Sequence, residues 1–141
     1  MRGFTLIDVI LAFVLLSILM TGGITNFKEM IRRDKSAGEQ ILAFLNTVRA
    51  RALSQTRPII VRPLSHNRLV TYRVSTCDES PSQLDEFNLE LPNGTQLENI
   101  DWRICFNSKG LSDASGTIRI LEGSKTTDIQ VALGGVARIV Q

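Results

Sequence analysis

Few of the 141 residues carry side chains suited to bond-making chemistry. The one histidine, His66, lies between Ser65 and Asn67 with no nucleophile signature nearby, so a Ser-His-Asp relay has nothing to build on. Cys77 and Cys105 are too few for a disulfide scaffold and lack the paired C-x-x-C spacing of a structural zinc site. No glycine-rich loop leads from a strand into a helix to cradle phosphates. Neither a catalytic site nor a metal or cofactor is therefore expected, and the chain does not read as an enzyme. What does call for a function is a carboxylate in the wrong solvent. Asp8 is the only charge in residues 4–20, FTLIDVILAFVLLSILM, where Thr5 and Ser17 are the only other polar side chains. An unpaired carboxylate in hydrocarbon is costly, which makes Asp8 a functional-site candidate.

The elements that must position such groups follow from composition and spacing. At 43% hydrophobic and 21% charged residues, with 10 Gly and 4 Pro, the chain has the make-up of one globular domain plus a short addition, and no repeat runs along it. The addition is the apolar run. A helix rising about 1.5 Å per residue needs roughly 20 residues to cross about 30 Å of hydrocarbon, and residues 21–24 complete the length. An ordinary signal peptide is opposed by the minimal basic leader, by the acid inside the apolar run, and by the lack of a small-x-small cleavage site. Gly22-Gly23 is a weak point in the run. Beyond it Phe27, Ile31, Ile41, Leu42, Phe44, Leu45, Val48, Ala52 and Leu53 recur at helical spacing, until Arg57-Pro58 stops the helix by about Thr56. The simplest organisation is one long N-terminal helix, apolar all round over residues 4–26 and amphipathic over 27–57. Residues 58–141 then break into seven short β-rich runs, at 59–62, 68–74, 87–91, 101–106, 116–121, 129–133 and 136–140. The expected class is α+β, with the helix packed on an antiparallel β-sheet or sandwich head. Pro92-Asn93-Gly94 reads as a turn, although Asn93-Gly94-Thr95 also spells a glycosylation sequon.

Charge is unevenly divided. Residues 28–73 hold ten Lys and Arg against three acids, and residues 74–141 hold five against ten. Lys28, Arg32, Arg33 and Lys35 stand just past the apolar segment, where anionic head groups or neighbouring subunits would meet them.

The string Gly3-Phe4-Thr5-Leu6-Ile7-Asp8-Val9 resembles the type III signal of type IV pilins and type II secretion pseudopilins. The resemblance extends over nearly the whole chain. Asn46 to Pro58, the run Cys105-Phe106-Asn107-Ser108-Lys109-Gly110 and a last strand opened by Gly134-Gly135 are similar to the GspH/FimT family of minor pilins and pseudopilins, although Ala137 interrupts the G-R-V-R ending of some members. The resemblance implies cleavage by a prepilin peptidase between Gly3 and Phe4, leaving residues 1–3 as leader, and N-methylation of Phe4. It implies a single-pass protein of the bacterial inner membrane, its head in the periplasm or outside, assembled with other pilin or pseudopilin subunits. Asp8 would be the fifth mature residue, placed to pair with the α-amino group of a neighbouring Phe4, with a reach one methylene shorter than that of the usual Glu. A tethered domain whose helix stays uncleaved is the competing reading.

In that compartment thiols oxidise readily, so Cys77 and Cys105 are expected to form a disulfide, two free buried thiols being the alternative. Some members of the family bind DNA for uptake in natural transformation. That alternative function would here engage Arg62, Arg68, Arg73 and Arg138, with Arg119 and Lys109 less favoured, through phosphate contacts rather than base reading.

Overall fold

The computed structural model describes residues 7–14, 36–81 and 84–140, apart from the side chain of Glu86. The chain divides into two compact units at Lys35/Ser36. In the first, residues 7–14 are helical and every one is exposed, Asp8 included. Among the described residues no helix is long and apolar enough to cross a membrane. Gly3, Phe4, Gly22-Gly23 and the basic cluster from Lys28 to Lys35 lie outside the described residues.

The second unit, the head, opens with helix α1, Ala37–Gln55. Within the part of the expected long helix that is described, α1 is capped at Ser36, whose ψ of 150° is not helical, and the stretch at 15–35 lies outside the described residues. The cause is local: Ser36-Ala37-Gly38-Glu39 has the Ser-x-x-Glu order of a capping box, and the Glu39 N–H donates to Ser36 Oγ at 3.3 Å. The helix starts there because its first amides find a partner there. It ends as the Arg57-Pro58 pair requires. Thr56 turns left-handed at φ 52°, and the Arg57 N–H closes on the carbonyl of Ala52 at 3.2 Å. Ala37, Ile41, Phe44, Leu45, Val48 and Ala52 form the buried stripe of α1. Leu53, expected in that stripe, is exposed.

Eight strands follow: β1 Ile59–Ser65, β2 Arg68–Arg73, β3 Leu84–Glu90, β4 Thr95–Leu97, β5 Ile104–Phe106, β6 Gly116–Glu122, β7 Lys125–Val131 and β8 Ala137–Val140. They make two antiparallel four-stranded sheets, ordered β3-β2-β1-β5 and β4-β6-β7-β8. Sequence spacing anticipated seven of these. It missed β4, three residues long in a polar stretch with little periodicity to show. It also missed the first half of β7, where Lys125 to Asp128 are polar yet pair in register with Arg119 to Glu122 of β6. Conversely, residues 101–103 are irregular and the strand there begins only at Ile104.

Alternation assigns the faces. Ile59, Val61, Leu69, Ile104 and Phe106 of the first sheet meet Leu97, Ile118, Ile120, Ile129 and Val131 of the second in one core with α1. Burying each large aliphatic side chain there contributes about 1.5–3 kcal/mol. The opposite face of the first sheet carries a smaller cluster of Ile60, Val74 and Cys105, with Tyr72 and Cys77 against it. Among the described residues all of this core comes from the compact unit Ser36–Gln141, which thus holds a hydrophobic core of its own.

Candidate assembly surface of the head

Cys77 and Cys105 form a disulfide with an S–S distance of 2.02 Å. It fastens the loop after β2 to β5, whose Cys105 is fully buried. His66 is structural: its backbone carbonyl accepts from the Leu97 N–H at 2.7 Å, and its Nδ1–H donates to the Leu97 carbonyl at 2.7 Å. The turn between β1 and β2 is thus tied to β4. Asn93 and Gly94 form the expected turn, in which the Thr95 N–H reaches the Pro92 carbonyl at 3.1 Å with Gly94 at φ +86°.

The four arginines expected for phosphate contacts are not brought together. Arg73 donates to Asp85 at 2.8 Å, and Asp85 is buried. Arg51 lies 3.9 Å from the same carboxylate and 4.2 Å above the Phe87 ring, which in turn stacks on Phe44 at 5.0 Å between centroids. A buried carboxylate needs such partners, and this group clamps α1 to β3. Arg138 is on the second sheet, with both Nε and Nη2 directed at Gln130 Oε1. Arg62 and Arg68 alone share a face, the outward side of the first sheet. Arg119 is engaged by Asp128 at 2.8 Å and by Glu98 at 3.5 Å. The Arg119 hydrogen bond and its positive charge hold the Asp128 carboxyl below its ordinary range.

Three segments that carry the family resemblance meet at one point. Arg49 of α1 donates through Nε to the Gly110 carbonyl at 2.9 Å. Gly110 ends a turn in which Asn107 Oδ1 accepts the Lys109 and Leu111 N–H groups at 2.9 and 3.0 Å. Gly135 packs directly on that turn: a Cβ on Gly135 would lie 2.0 Å from the Gly110 oxygen, and its φ is +75°. Only glycine satisfies both the space and the angle. Sequence reasoning found the three segments separately; their contact required the sheet order. Around this junction Leu53, Leu111, Leu133 and Val136 are exposed. Leu133 and Val136 also line a depression of about 630 Å³ with Gln130 and Arg138 on its wall.

A helix laid across two antiparallel sheets defines the fold of the head, and comparison with solved structures finds that fold in pilin-type proteins. The chain superposes on the type IV minor pilin FimU of Pseudomonas aeruginosa with a TM-score of 0.58 at 17% identity, over 74% of this chain and 90% of that one. A second crystal form of FimU gives 0.58 at 16% identity, over 84% and 92%. The minor pseudopilin EpsH of the Vibrio cholerae type 2 secretion system gives 0.53 at 18% identity, over 73% and 92%. No protein-family model matches the chain, and no curated protein does. At these identities the shared property is the pilin-like fold.

Proposed function

We propose that the chain is a non-enzymatic structural subunit, a minor pilin or pseudopilin. The observation that carries the reading is a head fold common to a minor pilin and a minor pseudopilin, on a chain that begins Gly3-Phe4-Thr5-Leu6-Ile7-Asp8-Val9. A prepilin peptidase cuts after Gly3, Phe4 is N-methylated, and residues 4–26 hold the subunit in the inner membrane before packing among neighbouring helices in a filament. Asp8 pairs with an adjacent N-terminus, which offsets the cost of a buried carboxylate and fixes the register between subunits. The exposed aliphatic rim at Leu53, Leu111, Leu133 and Val136 supports the reading, since a patch of this kind suits contact with another subunit.

Processing is the direct test. Co-expressed with an active prepilin peptidase, the chain should lose residues 1–3 and gain the mass of one methyl group on Phe4, read by intact-protein mass spectrometry. A chain that keeps Met1 to Gly3 while a control pilin in the same cells is cut would overturn the reading in favour of an uncleaved tether.

A further inference from the structure

On the outward face of the first sheet, opposite the main core, lies a depression of about 410 Å³ walled by Ile60, Pro81, Ile100 and Trp102 and carrying Arg62 and Arg103. The depression brings the two arginines together. Val61 pairs with Ile104 across β1 and β5, and Arg62 and Arg103, the residues that adjoin this pair, both line the depression. Arg62 lies on the side of Ile60 by the alternation of β1, and Arg103 belongs to the irregular stretch that leads into β5. Neither guanidinium has an ion-pair partner among the described residues. Arg62 rests 5.6 Å from the centre of the Tyr72 ring, and Arg103 Nη2 donates to the Cys77 carbonyl at 3.1 Å. Two like charges on one depression repel unless an anion lies between them, and two guanidinium groups can take both oxygens of one carboxylate.

The surroundings decide what kind of anion. Asp101 also lines the depression, and Glu90 stands opposite Arg68 in the β2–β3 register. The positive surface is therefore short and flanked by acids, which disfavours a polyanionic backbone that needs a continuous row of cations. A single carboxylate next to an apolar group fits it.

We propose that this depression binds a peptide segment of a protein partner in which an Asp or Glu adjoins a large aliphatic or aromatic side chain. The carboxylate lies between Arg62 and Arg103, and the apolar side chain packs against Pro81, Ile100 and Trp102. The proposal stands apart from the processing and assembly reading, and either can fail alone.

The test uses the disulfide-bonded head, residues 36–141. A phage-displayed library of random heptapeptides is selected on it, and the best synthetic peptide is then titrated while Trp102, the only tryptophan of the chain, reports by fluorescence. The expected result is enrichment of Asp or Glu beside Leu, Ile or Phe, with a saturable change in Trp102 emission. Arg62→Ala and Arg103→Ala should each weaken binding about tenfold or more, as loss of a charged hydrogen bond does. Arg68→Ala should leave it unchanged, and circular dichroism should show each variant folded. Three results overturn the proposal. One is the absence of an enriched sequence, and another is equal binding to the Arg62→Ala/Arg103→Ala double variant. The third is a short oligothymidylate that displaces the peptide and saturates the same signal more tightly, which would make the depression a nucleic-acid site instead.

Discussion

In residues 7–14 the side chains of Ile7, Val9, Ile10, Leu11, Phe13 and Val14 are all exposed, whereas in the head Ile41, Leu45, Val48, Ile60, Leu69 and Ile129 are fully buried. The two regions are similarly rich in aliphatic residues and differ in where the matching surface comes from. The head supplies its own, through α1 and two sheets that face it. Residues 7–14 meet no such surface among the described residues, and on the proposed reading lipid or neighbouring subunits supply it. On that reading stability and assembly reside in different parts of the molecule, and substitutions should separate them.

The sharpest break is predicted at Gly135. Gly135→Ala forces a methyl group into the Gly110 carbonyl at a positive φ, so the loss should exceed the roughly 1–3 kcal/mol of ordinary overpacking, and the purified head should show no cooperative thermal transition. Next comes the disulfide. Replacing Cys77 and Cys105 together by Ser should remove about 3.5 kcal/mol on the chain-entropy model for a separation of 28 residues, read as a lower denaturation midpoint with a somewhat steeper slope, because the unfolded chain without the bridge exposes more surface. A much smaller effect is expected from acid. The Asp128 carboxyl, lowered by Arg119, contributes stability above its unfolded pKa and loses it as pH falls through the folded value. Arg119→Gln should therefore slightly lower stability at neutral pH and flatten the loss of stability below about pH 4, the difference from the parent protein vanishing in strong acid. The smallest effect on the head is none at all: Asp8→Ala should leave its melting curve untouched while preventing recovery of the subunit in sheared filaments. Normal incorporation of that variant would contradict the division of labour.

Much of the head could be read in advance. The α1 stripe from Ile41 to Ala52, its stop before Pro58, and β1, β2, β6 and β8 follow from periodicity, because each puts apolar residues at the spacing of its own element. The cap at Ser36 is also written locally, in Ser36-Ala37-Gly38-Glu39, a four-residue signal that is easily overlooked beside the longer apolar pattern. β4 and the start of β7 were hidden because a short or solvent-facing strand is held by backbone pairing that leaves no mark on side-chain type. The arginines show a different limit. Sequence lists Arg62, Arg68, Arg73 and Arg138 as equals, and only the fold distinguishes Arg73, held by the buried Asp85, from Arg62, left beside Arg103. The same holds for Arg49, Gly110 and Gly135, which touch across large separations in the chain.

The short strand β5 lies at the rim of its sheet, where unpaired amides would invite a foreign strand to add on. Here that opening is closed from within. Asp113 Oδ1 accepts the Cys105 N–H at 2.8 Å, the Asp113 N–H donates back to the Cys105 carbonyl at 3.0 Å, and a bridge between Phe106 and Ser112 continues the closure. One aspartate thus imitates the missing neighbour strand at the position that the disulfide holds in place. With its amide and carbonyl so occupied, this border of the sheet does not template stray β-pairing with a foreign strand.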